Sequence, residues 1–101
     1  MSMIIDGIQI SSTNRPYIIA ELSANHNGSL EIALESIRIA KETGANAVKI
    51  QTYTPDTMTI DCNKPDFFIE GGLWDGYKLY TLYEEAHTPY DWHEKIFSYA
   101  R

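Results

Sequence analysis

Two apolar runs in this chain each carry a single charge, and each leads into a polar loop and then a helical pattern. The first is Tyr17-Ile18-Ile19-Ala20-Glu21-Leu22-Ser23 and the second is Ala47-Val48-Lys49-Ile50-Gln51-Thr52-Tyr53. A strand that buries both faces reads as a near-continuous apolar stretch. An ionised group inside such a stretch is expensive unless it is paired or used. Strand, loop and helix in that order are the grammar of a βα unit, and such folds keep their chemistry at the strand C-termini. Glu21 and Lys49 therefore mark this chain as enzyme-like.

Strand side chains alternate between faces. Ile18, Ala20 and Leu22, with Val48, Ile50 and Thr52, are expected to pack under helices. The opposite faces carry Tyr17, Ile19, Glu21 and Ser23, and Ala47, Lys49, Gln51 and Tyr53, so Glu21, Lys49 and Gln51 project together on adjacent strands. A carboxylate and an ammonium so placed supply a proton donor or acceptor and an anchor for an anion. The alternative is a structural buried ion pair.

The other elements follow from local signals. Met3 to Ile10 reads as a hairpin turning at Asp6-Gly7, and Asn14-Arg15-Pro16 breaks the chain before the first charged strand. Asn25-His26-Asn27-Gly28 is dense in turn formers. Ser29 then caps a helix whose buried stripe is Leu30, Ala33, Leu34, Ile37 and Ala40, closed by Lys41 and Gly44. From Thr54 to about Lys78 there is little periodicity, and loops longer than about 15 residues are uncommon unless functional or disordered. Leu79, Leu82, Tyr83 and Ala86 predict a short helix. Thr88 as N-cap, Pro89 at the first position and Asp91 in a capping box predict another, with Trp92, Ile96 and Tyr99 facing inward.

Within the long loop, Trp74-Asp75 between glycines reads either as a platform for a sugar ring or as a hydrophobic plug. His26 lies above the Glu21 strand, where an imidazole donates to a hydroxyl or titrates near neutrality; the plainer reading is a loop residue. His87 and His93 flank the last helix start and read as surface residues without metal-ligand spacing, so no metal site is assigned to this chain. Cys62, the single cysteine, has no basic neighbour and reads as inert.

Composition narrows the class further. A net charge of −6 with eight scattered Lys and Arg argues against nucleic acid as a partner. No apolar stretch approaches the roughly 18 residues of a membrane span. The start, Met1-Ser2-Met3-Ile4-Ile5-Asp6, lacks a secretory pattern, and one cysteine makes no intrachain disulfide, so the expected compartment is the cytoplasm. Two parallel strands cannot cover themselves, and a (β/α)₈ barrel needs about 250 residues. The fold class is α/β, an N-terminal hairpin plus the first two βα units of a TIM barrel. Residues 1–101 are thus read as the N-terminal fragment of a larger enzyme. The alternative is a complete, non-catalytic small α+β domain.

The chain resembles the sialic acid synthase family. Ile18-Ile19-Ala20-Glu21-Leu22-Ser23-Ala24-Asn25-His26-Asn27-Gly28 carries that family's Ala-Glu-x-x-x-Asn-His-Asn-Gly pattern, and Gly44-Ala45-Asn46-Ala47-Val48-Lys49-Ile50-Gln51 its Gly-Ala-x-x-Val-Lys-x-Gln pattern. Thr52-Tyr53-Thr54-Pro55-Asp56-Thr57-Met58-Thr59, Gly71-Gly72-Leu73-Trp74-Asp75-Gly76, Leu79 to Ala86 and Thr88-Pro89 look like its pseudaminic acid synthase branch. The resemblance implies condensation of phosphoenolpyruvate with the open-chain aldehyde of an N-acetylated amino sugar. For that branch the sugar is 2,4-diacetamido-2,4,6-trideoxy-altrose, and the products are a nine-carbon 2-keto acid and phosphate. It implies that Lys49 holds phosphoenolpyruvate and that Glu21 works at the reacting carbons. Gln51 would bond the sugar, with Asn25, Tyr53, Trp74 and Asp75 as further contacts. It also implies a divalent metal (Mn or Mg) with ligands outside this chain, a C-terminal antifreeze-like domain beyond it, and a homodimer at full length. These residues alone are then expected to be inactive. A same-chemistry alternative is N-acetylneuraminate or another nonulosonate synthase.

Overall fold

The structure is a computed structural model that describes residues 3–101; Met1 and Ser2, where the reading for a secretory pattern begins, lie outside the described residues. Strands β1 (Met3–Ile5) and β2 (Ile8–Ile10) form the expected antiparallel hairpin, with Ile5 opposite Ile8. Its two-residue turn places Asp6 at φ 49° and Gly7 at φ 77°. Positive φ at both central residues is what a tight hairpin turn of matching twist demands.

Strands β3 (Ile19–Glu21) and β4 (Ala47–Lys49) pair in parallel, in the register Ile19↔Ala47, Ala20↔Val48, Glu21↔Lys49. Helix α1 (Leu30–Glu42) connects them. It begins where Ser29 accepts a hydrogen bond from the Ile32 N–H at 3.3 Å. It ends where Gly44, at φ 100°, takes the left-handed turn that a residue with a Cβ resists. Both strands are shorter than the apolar runs that contain them. Ser23, at φ 48°, turns the first run out of the ladder, while Leu22 N still reaches Lys49 O at 2.9 Å.

The core lies between this parallel pair and the helices. Leu22, Ala33, Ile37 and Ile96 are buried together, with Leu30, Leu34, Val48, Ile50 and Trp92 packed against them. The helix-facing sides of both strands are therefore those that alternation predicts, except at Ile18. That residue is exposed; it sits before the ladder, where Ile18 N donates to Asn46 Oδ1 and Asn46 N to Ile18 O, both at 2.8 Å.

Beyond β4 come a short helix, α2 (Pro55–Met58), a 3₁₀ turn at Pro65–Phe67, and helix α3 (Leu79–Ala86). Between them Phe68 bridges Lys78, and Ile69 N bonds Tyr77 O at 2.9 Å, which closes the glycine-rich stretch into a hairpin-like loop. The last helix, α4 (His93–Ala100), starts later than the sequence predicts. Thr88 is not its cap: its N–H donates to Gln51 O at 2.8 Å, and its hydroxyl is buried. Pro89 is extended (φ −60°, ψ 141°) and a 3₁₀ turn, Tyr90–Trp92, intervenes, so the Asp91 capping box does not form. Ile96 and Trp92 face inward as expected, but Tyr99, on the same stripe in the last turn of α4, is exposed. The result is a mixed α/β arrangement with two small sheets.

Candidate active site at the ends of β3 and β4

The parallel register sets Glu21 beside Lys49. Lys49 Nζ lies 3.4 Å from Glu21 Oε2. Gln51 Nε2 donates to Glu21 Oε1 at 2.8 Å, and Ser23 Oγ donates to the same oxygen at 3.4 Å. One carboxylate thus collects an ammonium, an amide and a hydroxyl, all from the face that alternation assigns. The expected burial is not found: the Lys49 and Glu21 side chains are 62% and 33% exposed. At that exposure an ion pair contributes about 0–1 kcal/mol.

Lys49, Gln51 and Tyr53 line one cavity of about 540 Å³ with Met58 and Tyr83. Tyr53 meets Tyr83 edge-on, with ring centroids 5.7 Å apart. Burial, with a smaller contribution from Tyr83, pushes the Tyr53 phenol above its ordinary pKa, so it remains a hydroxyl donor at neutral pH.

The remaining sugar candidates are not brought to this cavity. Trp74 lines a separate one, of about 430 Å³, with Ala24, Asn27, Gly28 and Glu84, and packs edge-on against Tyr77 at 5.2 Å. Asp75 is engaged within its own loop, accepting from Gly71 N at 2.6 Å, which is the behaviour of a loop clamp. Asn25 is exposed and lines neither cavity.

His26 is not an open loop residue. It is 1% exposed, its Nδ1 accepts from Gly28 N at 2.9 Å, and its ring meets Trp92 edge-on at 5.1 Å. It pins the Asn-His-Asn-Gly turn to the core, a role that no local signal separates from an exposed histidine. Burial, the largest effect, lowers its pKa, and the nearby Ala86 backbone opposes this. Above the unfolded imidazole value of 6.5 neither state binds the proton, and the His26 contribution to stability is complete. As pH falls through that value the unfolded chain takes up a proton that the folded chain refuses, so stability declines until the lowered folded value is reached. Chemical denaturation of the full-length protein between about pH 7.5 and 5.5 is expected to show this decline, and His26→Asn to flatten it.

His93, read as a surface residue, is half-buried, and its Nε2 lies 2.6 Å from Thr52 Oγ1. His87 is also half-buried, with Nδ1 2.7 Å from Glu84 O. Thr88 and His93 were invisible as partners of the Gln51 strand because the pairing is long-range, whereas Ser23 shares the face of Glu21 by simple alternation. Among the described residues no three His, Cys, Asp or Glu side chains come together in a group that could hold a metal ion. Among the same residues no helix is long and apolar enough to cross a membrane.

Comparison with known proteins converges on one group. The chain is 60% identical to pseudaminic acid synthase of Campylobacter jejuni over 97 residues, covering 93% of this chain and 28% of that protein. It is 52% identical to pseudaminic acid synthase of Helicobacter pylori over 86 residues, 85% of this chain and 25% of that protein. N,N'-diacetyllegionaminic acid synthase of Legionella pneumophila is 55% identical over 42 residues, 42% of this chain and 12% of the relative. The chain thus spans little more than a quarter of the length of the first of these relatives, at 28%. Residues 36–101 match the NeuB family, a stretch that includes Lys49, Gln51 and Tyr53, and the chain belongs to that family.

Proposed function

We propose that the protein containing this chain is a pseudaminic acid synthase, joining phosphoenolpyruvate to 2,4-diacetamido-2,4,6-trideoxy-altrose. The observation that carries the reading is the Glu21–Lys49–Gln51 cluster at the strand ends, in a chain 60% identical to a protein of that name across 93% of its length. In this reading the chain supplies the hairpin and first two βα units of a TIM barrel. The rest of the barrel, the C-terminal antifreeze-like domain and the ligands of a divalent metal (Mn or Mg) lie in the remainder of the protein. A homodimer in the cytoplasm completes the proposal, and these residues alone are inactive.

The chemistry assigns each side chain a task. The enol carbon of phosphoenolpyruvate bonds to the aldehyde carbon of the open-chain sugar, and the aldehyde oxygen takes a proton. Water adds to the resulting cation, and the tetrahedral adduct expels phosphate by C–O cleavage, leaving the 2-keto acid. Lys49 offers a compact charge to the anionic substrate. The Glu21 carboxylate is placed to stabilise positive charge at the reacting carbon or to relay a proton, positioned groups of this kind being worth about 10²–10⁴ in rate. Gln51 and Tyr53 present an amide and a hydroxyl to the sugar from the cavity wall.

The test is phosphate release by the full-length protein, given phosphoenolpyruvate and each sugar in turn. Release with the diacetamido-trideoxy sugar and not with N-acetylmannosamine is expected. Release with N-acetylmannosamine alone would move the protein to the neuraminate branch, and release with neither would remove the reading.

A further inference from the structure

The backbone beyond β4 leaves the sheet ladder yet carries Gln51 and Tyr53. It is held instead by the segment around α3 and α4. Thr88 N donates to Gln51 O at 2.8 Å, Thr52 Oγ1 and His93 Nε2 are 2.6 Å apart, and Tyr53 rests on Tyr83 and His87. His93 is itself fixed between Tyr90 and Phe97, with ring centroids at 5.8 and 5.4 Å, and it opens the helix that buries Ile96.

We propose that His93 is a positioning residue for the substrate cluster, acting through the Thr52 hydroxyl to aim Gln51 and Tyr53. The contact with His93 places Thr52 on the helix side, so a bond there sets the rotation of this segment and the aim of its neighbours Gln51 and Tyr53. Gln51 in turn donates to Glu21, so its displacement reaches the carboxylate as well. The inference rests on reading Gln51 and Tyr53 as sugar contacts.

The experiment uses the full-length protein with Thr52→Val, His93→Leu and His93→Gln. A misplacement of about 1 Å can cost up to about 10²-fold in rate, so Thr52→Val and His93→Leu are expected to lower kcat/KM for the sugar about tenfold, through a raised KM and, because the shift reaches Glu21, a lowered kcat. The KM for phosphoenolpyruvate and the thermal midpoint stay near wild type, and His93→Gln, whose amide still reaches Thr52, recovers most of the loss. Equal losses for both substrates, a loss that tracks the thermal midpoint, no loss, or no recovery by His93→Gln would overturn the proposal. Crystal structures of wild type and His93→Leu decide it independently of turnover. A Gln51 side chain released from Glu21 in the variant is expected, and an unmoved Gln51 refutes the positioning role even if the enzyme is a synthase. A wild type that fails to turn over refutes the synthase reading alone, and the crystal comparison still decides the role of His93.

Discussion

Glu21→Gln in the full-length protein lowers kcat by about 10²–10⁴-fold, the span ascribed to a positioned acid–base group, with folding stability changed by no more than about 1 kcal/mol. The two halves of this expectation come from the same geometry. The carboxylate gathers Lys49, Gln51 and Ser23 on one face, so its removal disorganises every polar group at the strand ends. Yet the backbone that carries these groups is held independently of the carboxylate, by Leu22 N on Lys49 O and Thr88 N on Gln51 O, so its loss leaves the fold in place. Lys49→Met is expected to act chiefly on phosphoenolpyruvate, raising its KM, because the lost group is a charge that binds ground state and transition state alike. Steady-state kinetics beside thermal denaturation separate the effects. A purely structural pair would show the reverse pattern, with stability falling and turnover preserved.

Ile96→Ala carries the largest expected stability effect, a loss of about 2–5 kcal/mol on chemical denaturation of the full-length protein. Ile96 is 1% exposed and is the residue of α4 that joins Leu22, Ala33 and Ile37 in the core. Truncation leaves a void bordered by strand and helix at once, where neighbours fixed by the parallel ladder cannot close in. Because α4 begins at His93, whose ring bonds Thr52, the same truncation also loosens the strand that carries Gln51. Activity is expected to fall with stability here, unlike the Glu21 and Lys49 variants. A denaturation midpoint equal to wild type would contradict the core described above.

The parts legible in the sequence were those fixed by short-range chemistry. Asp6-Gly7 dictates a two-residue hairpin turn, Ser29 and Gly44 bound α1, and alternation along β3 and β4 puts Glu21, Lys49 and Gln51 on one face. What escaped depends on tertiary partners. Thr88 has every local attribute of a cap, but its N–H is claimed by Gln51 O and the helix starts at His93 instead. His26 sits among turn formers, and it is buried by partners from later in the chain, Trp92 and the Ala86 backbone among them. Trp74-Asp75 has the composition of a sugar platform, but the Asp75 carboxylate closes its own loop and Trp74 opens onto a different cavity.

A crystal structure of the full-length protein with phosphoenolpyruvate tests most directly whether the ends of β3 and β4 form the site for that substrate. Lys49 Nζ is expected within hydrogen-bonding distance of the bound carboxylate or phosphate, with Glu21 beside the enol carbons. Phosphoenolpyruvate bound elsewhere, with the Lys49–Glu21–Gln51 cluster untouched, would contradict it.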